Sequence, residues 1–360
     1  MMQEKNIKEL CGVELVEYLS LLFGPTGCED RVRDAVVFAT EGLCDVSAID
    51  RMGNLLCRVS LGDPEKRKKI MLCAHMDEVG FMIEEIKKDG MMTFGCVGGI
   101  DSSVLAGKRV LIEGKDQLVN GLICSKAIHH KSRKERAKAT ESDKLYIDIA
   151  CVSDEETEKK TSVGSLATFL GDFFLMGIDK RTICCKALDD RMGCAILIEL
   201  MRKIKEEKPA LNLDIYFCFT VGEETGHSGA IVASERISPD YALIFESTAV
   251  GDLPETSASK RVSELTKGAV ISVADRSTIY DKELIDLAFA VAKREGIPLQ
   301  VKKYLSGGND AGHIHKSGSG VRSLAVSIPT RYLHSASCVA SLDDYESALN
   351  IAYALLCNIN

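Results

Sequence analysis

The sequence predicts an α/β protein, a mixed-sheet α/β/α domain interrupted by an inserted β-barrel-like domain. Helical and strand periodicities alternate at the start of the chain, a glycine-rich run of short strands follows, and the α/β texture then resumes. Residues 1–78 and 166–360 are therefore assigned to one discontinuous domain, and residues 79–165 to the β-rich insert.

Two helices open the chain, IKELCGVELVEYLSLLFG (7–24) and EDRVRDAVVFATEGL (29–43); in the second, Val32, Ala35, Val36 and Phe38 recur at helical spacing. SAID, NLLCRVS and KKIMLCAH read as strands, and the last lacks alternation, as a strand covered on both faces should. The insert reads as short strands with frequent glycine, GFMIEEIKKDGMMTFGCVGGI, GKRVLIEGKDQLVNGLICS and KLYIDIA. After GDFFLMG come a helix over 189–206, a strand over 213–221, a helix over 228–237, a strand over 241–246, a helix over 281–295 and a last helix near 342–357. The basic stretch HHKSRKERAKATESDK (129–144) lacks interleaved aromatics and is followed by acids, so it is expected to be a solvated loop and not a nucleic-acid arm; His129 and His130 are assigned no metal.

At 360 residues, with 46% hydrophobic residues and a mean hydropathy near zero, the chain has the composition of an ordinary globular protein. A net charge of −8 disfavours binding to nucleic acid or anionic membrane. No run approaches the roughly 20 apolar residues of a membrane helix. The opening MMQEKNIKEL lacks the apolar core of a secretory signal, so a cytoplasmic location is expected. The 14 cysteines are scattered, mostly in apolar runs, and are expected to be reduced core residues.

In open α/β sheets, ligands gather at the carboxyl ends of strands. KKIMLC runs into His75 and Asp77, DIYFCFTVG into Glu223 and Glu224, YALIF into Glu246, and RSLAVSIPTRYL into His334, while KALDDRMG places Asp189 and Asp190 at a helix start. Each has an ordinary alternative: a helix cap for the aspartates, a core hydrogen bond for His75, ion pairs for the glutamates. Several carboxylates sharing one crevice repel one another, and divalent cations relieve that repulsion. Mixed imidazole and carboxylate ligation suits Zn²⁺ or Co²⁺ and admits Mn²⁺. Asp77 is placed to accept from the non-coordinating nitrogen of His75, and one of the adjacent glutamates can bind a cation while the other takes a proton. GHSG lacks the GxSxG spacing of a serine nucleophile, so Ser228 is expected to cap a helix. SGGNDAG, with no GK[ST] after it, is not read as a phosphate cradle; its glycines tolerate a tight backbone, which suits a loop lining a substrate pocket or a plain turn, and Lys267, Arg276 and Arg331 are read as surface charges.

The chain resembles the M42 family of dinuclear metallo-aminopeptidases over almost its whole length, through AHMDEVGFMI, FGCVGGI, LYIDIA, KALDDRMGCAILIEL, VGEETGHSGA, SGGNDAGHIH and IPTRYLHS in order. The resemblance implies two divalent metal ions per subunit, with His75 and Glu246 on one, Glu224 and His334 on the other, and Asp189 bridging. It implies Glu223 as general base and Asp77 as the partner of His75. Glu246 departs from the aspartate many members carry. The resemblance further implies an aminopeptidase acting on peptides with a free N-terminus, and a homo-oligomer in which the insert forms dimers that close into a dodecamer. A related metal-dependent deacylase or carboxypeptidase, or a catalytically silent scaffold, are the rival expectations.

Overall fold

The computed structural model describes residues 6–359 except 255, 258 and 260. Helices α1 (Gly12–Leu21) and α2 (Asp30–Thr40) precede strands β1 (Val46–Ile49), β2 (Leu55–Leu61) and β3 (Lys68–His75). The insert contributes β4 (Gly80–Ile86), β5 (Met92–Val97), β6 (Arg109–Ile112), β7 (Val119–Ser125), α3 (Arg133–Arg136), β8 (Leu145–Asp148), α4 (Asp154–Glu158) and β9 (Leu166–Phe169). The chain then returns through β10 (Phe174–Met176), β11 (Thr182–Cys185), α5 (Leu188–Glu207), β12 (Leu213–Thr220), α6 (Ser228–Ile237) and β13 (Tyr241–Ala249). It closes with β14 (Ala269–Ile271), α7 (Lys282–Glu295), β15 (Leu299–Val301), α8 (Ala311–Ile314), β16 (Arg322–Arg331), β17 (Cys338–Ser341) and α9 (Leu342–Leu356).

Among the described residues these strands form a mixed sheet in the order β1-β2-β12-β3-β13-β16-β17-β11-β10, with β14 and β15 joined at β16. Its centre, β12-β3-β13-β16, is parallel, and the flanking strands pair antiparallel. The parallel centre explains why KKIMLCAH does not alternate: from Ile70 to His75 every residue is buried, because helices cover both faces. On one face Leu15, Val36, Ile196, Val291 and Ile351, from α1, α2, α5, α7 and α9, enter the main core. On the other, Ala230 and Ala233 of α6 and Ile314 of α8 pack against Met71 and Ile244.

The insert closes into a barrel in the order β4-β5-β8-β7-β6-β9. Phe81 meets Phe94 and Phe169 edge-on at its centre, each pair with ring centroids 5.1 Å apart. β9 lies just beyond residue 165 and pairs with both β4 and β6. The basic stretch forms α3 and short turns on the barrel surface, with Ser132 and Glu135 in a reciprocal cap at the start of α3.

The two crossings between barrel and sheet are tied by buried charges. Glu78, just before β4, accepts from Lys186 Nζ (2.5 Å) and from Thr168 Oγ1 of β9 (2.8 Å). Arg191 of α5 donates to the carbonyls of Met76, Leu19 and Gly24 at 2.7–3.1 Å. Charges removed this far from water persist only when partnered, and here the partners are the segment entering the barrel, β9 and the end of α1 with the loop after it.

Candidate metal centre

Parallel pairing puts the carboxyl ends of β12, β3, β13 and β16 side by side, at one edge of the sheet. His75 is the last residue of β3 and pairs with Thr220 at the end of β12. Cys73 pairs with Ile244, so two residues further along His75 and Glu246 come abreast on the same face. Glu223 and Glu224 follow β12, and His334 follows β16 after a turn in which it adopts φ 59°.

Asp189 and Asp190 are both non-helical, and the peptide between them is cis. The regular part of α5 begins after them. Asp190 Oδ1 accepts from Gly193 N (3.0 Å), so Asp190 does the capping that either aspartate was a candidate for, and Asp189 is left to face the crevice. Ser228 does not cap α6; His227, in a left-handed conformation, stands at that position and Ser228 is the first helical residue.

The two carboxylate oxygens of Asp189 look in different directions. Oδ1 lies 3.5 Å from His75 Nε2, which is 3.6 Å from Glu246 Oε2. Oδ2 lies 3.4 Å from His334 Nε2, which is 3.3 Å from Glu224 Oε1. These are wide for hydrogen bonds. They match the edge of a tetrahedron, about 3.3–3.4 Å for donor atoms 2.0–2.1 Å from a zinc-sized ion. Glu246 Oε1 is buried with no hydrogen-bond partner among the described residues, an orphaned acceptor of the kind a cation satisfies.

Both imidazoles turn Nε2 toward these oxygens because Nδ1 is engaged by a main-chain carbonyl. His75 Nδ1 lies 3.1 Å from the carbonyl oxygen of Asp77 and His334 Nδ1 2.7 Å from that of Gly99 in the barrel. A carbonyl can only accept, so Nδ1 carries the hydrogen and the neutral ring offers its Nε2 lone pair. The Asp77 carboxylate, expected to be the acceptor for His75, stands slightly further off at 3.5 Å. It is occupied by three other donors: Thr26 Oγ1 (2.7 Å), Glu223 N (3.1 Å) and Glu224 N (3.2 Å). Asp77 thus fixes the main chain of the glutamate pair. Nothing in the local sequence signals the Thr26 or Gly99 contacts, which bridge distant segments.

The charges bear out the crowding. Burial, then the neighbouring Asp189 charge, pushes Glu224 up to about 8, and burial pushes Glu246 well above the carboxylate range. Burial would raise Asp189 too, but contact with His334 and His75 holds it below its ordinary value. Burial disfavours charge on His334, yet Asp189 and Glu224 outweigh it and raise that ring to about 9. Protons fill the role that cations would fill, and the donor set fits two divalent ions sharing Asp189.

Elsewhere in the crevice, Asn309 and Asp310 of SGGNDAG are buried, and Asp310 reaches His227. Arg331 makes two 2.8 Å bonds to Asp252 and is spoken for.

The sequence profile of M42 glutamyl aminopeptidases matches residues 53–351. The chain belongs to this family. A protein of Acetivibrio thermocellus provisionally named an aminopeptidase is 36% identical over 344 residues, spanning 96% of this chain and 98% of that one. The TET aminopeptidase of the marine sediment archaeon Thaumarchaeota archaeon SCGC AB-539-E09 superimposes with a TM-score of 0.92 at 33% identity, covering 96% of each chain. The TET1 peptidase of Pyrococcus horikoshii, which can assemble into a tetrahedron or a large octahedral shell, gives 0.84 at 29% identity over 96% of this chain and 99% of its own. This M42 member is thus an aminopeptidase, a hydrolase of a metal-dependent family, and its His and carboxylate groups are the candidates to hold the metal. No helix among its described residues is long and apolar enough to cross a membrane.

Proposed function

We propose that this M42 protein releases N-terminal residues from peptides with a free α-amine by means of two divalent cations, Zn²⁺ or Co²⁺ with Mn²⁺ admitted. His75 and Glu246 would hold one, Glu224 and His334 the other, and Asp189 both. The observation that carries this reading is the division of Asp189, whose two oxygens each face a different histidine–carboxylate pair. Two such cations supply Lewis acidity, which makes water acidic near neutrality and polarises a carbonyl.

The chain's own residues do the rest. Asp77 holds the backbone of Glu223 and Glu224, while Glu224 Oε1 lies 3.3 Å from His334 Nε2 and Glu223 Oε1 lies 3.1 Å from His227 Nδ1. Glu223 takes a proton from the attacking water as the carbon–oxygen bond forms, and passes it to the peptide nitrogen as the carbon–nitrogen bond breaks. The acids that line the crevice favour an α-ammonium group.

Glu223→Gln tests the base: the variant should fold, keep its metal and lose about 10²- to 10⁴-fold in kcat. Near wild-type kcat would remove Glu223 from the role. Metal analysis, with chelation and restoration by Zn²⁺ or Co²⁺, tests the centre. An aminoacyl anilide beside its N-acetylated form tests the substrate class, because an aminopeptidase rejects the blocked amine.

Residues 79–165, as the inserted domain, would form dimers that close into a dodecamer, a proposal supported by the tetrahedral P. horikoshii relative. Light scattering that finds only monomer would defeat it. A cytoplasmic location suits the free cysteines, of which Cys57, Cys73, Cys194 and Cys218 are buried in the core.

A further inference from the structure

Beside the two histidine–carboxylate pairs lies a third group, Glu223, His227 and Asp310. His227 Nδ1 is 3.1 Å from Glu223 Oε1 and 3.1 Å from Asp310 Oδ1. Asp310 is 1% exposed, and its other oxygen accepts from Thr220 Oγ1 (2.9 Å) and Cys73 Sγ (3.5 Å), so it cannot turn away. The turn carrying His227 is closed by Gly226 N and His227 N, which donate to the Glu223 carbonyl at 3.1 and 3.2 Å. Burial works against charge on His227, but the two carboxylates outweigh it and raise the ring to about 10. The ring therefore carries the positive charge that lets two acids sit against it.

We propose that His227 is a positioning residue for the general base: it pins Glu223 Oε1 against the immobile Asp310 and leaves Oε2 to take the proton. This rests on the reading of Glu223 as base. The Asp77 contact fixes only the main chain of Glu223, and beyond it the side chain has three rotatable bonds. A base that wanders by about 1 Å can lose about 10²-fold in rate. A tether to one oxygen removes that freedom without blocking the other. None of the seven ordered motifs assigns His227 this part, and the partners Glu223 and Asp310 lie 87 positions apart in sequence.

The test uses two substitutions that accept the left-handed backbone at residue 227 (φ 62°), His227→Gly and His227→Asn, so that strain does not confound the result. His227→Gly should lower kcat about 10- to 100-fold with KM within about twofold and metal content unchanged. His227→Asn, whose carboxamide N–H stands near the Nδ1 position, should recover most of the loss. In a Glu223→Gln background, His227→Gly should cost nothing further, whereas a purely structural role would lower both backgrounds alike. The proposal is overturned if His227→Gly keeps kcat within about twofold of wild type, or if its loss follows metal content or Tm and is not recovered by asparagine. The two readings fail separately: a fully active Glu223→Gln removes the base itself, while an inactive Glu223→Gln beside a fully active His227→Gly removes only the tether.

Discussion

The His75 half of the centre and the His334 half share Asp189 and are built in opposite ways. His75 and Glu246 belong to neighbouring central strands, and the His75 side chain is 1% exposed, with its Nδ1 partner two residues along the chain. Glu224 and His334 stand on loops; the His334 side chain is 31% exposed, and its Nδ1 partner, Gly99, is 235 residues away in the barrel. The sheet fixes the first half as a by-product of strand register. The second exists only while barrel and sheet are correctly apposed. Local opening is cheapest where ligands sit on exposed loops, so the His334 half should exchange its cation readily and the His75 half slowly.

The largest effect comes from the residue the halves share. Asp189→Asn removes the negative charge that faces both imidazoles, and turnover should fall to background with loss of bound metal from both halves, read by elemental analysis and kcat. Retention of one tightly held equivalent would sharpen the contrast, since the His75 half would then stand without the bridge.

A smaller effect should be confined to one half. Gly98 has φ +86°, and a Cβ there would lie 2.8 Å from Val79 Cγ1 and 3.5 Å from the Glu224 Cβ. Gly98→Ala must displace the loop that carries the Gly99 carbonyl. Loss of a partner that orients a ligand typically weakens metal affinity about 10- to 100-fold. A chelator titration should therefore strip one equivalent earlier than in the wild type and leave the second unchanged. Equal weakening of both would erase the distinction between the halves.

That asymmetry also separates what the sequence makes legible from what it hides. The fold was readable because the apolar runs are long and the glycine-rich insert differs sharply from them: the strand expected over 213–221 is β12, and the helix expected over 281–295 is α7. His75, Glu246 and the glutamate pair stand out because each comes late in, or just after, a buried parallel strand, and parallel strands deliver their ends to one edge. The contacts that aim these groups leave no such trace. Gly99 and Asp77 act on the imidazoles through main-chain carbonyls, which every residue type has. Lys186 and Arg191 are buried, as lysine and arginine seldom are, because Glu78 and nearby carbonyls at the barrel crossing receive them. Ser228 fails as a cap because the backbone at His227 turns left-handed one residue earlier.

The most graded effect is set by protons. Without a cation, Glu224 titrates at about 8 and His334 at about 9, so at neutral pH both hold protons that a cation must displace. The free half binds more protons than the loaded one, so its apparent affinity must rise with pH, about tenfold per unit for each proton released. It should level off once pH passes both values. In the His75 half, burial carries Glu246 well above the carboxylate range, and contacts with Asp189, Asp77 and Glu246 overcome burial to raise His75 well above its own. That half holds protons as well, under deeper burial, so its loading should also improve with pH but along a curve of its own. Competition titrations against a chelator of known pH dependence resolve the two equivalents. Parallel curves would mean that both histidine–carboxylate pairs meet the same environment, and the difference in burial would then have no bearing on how the centre fills.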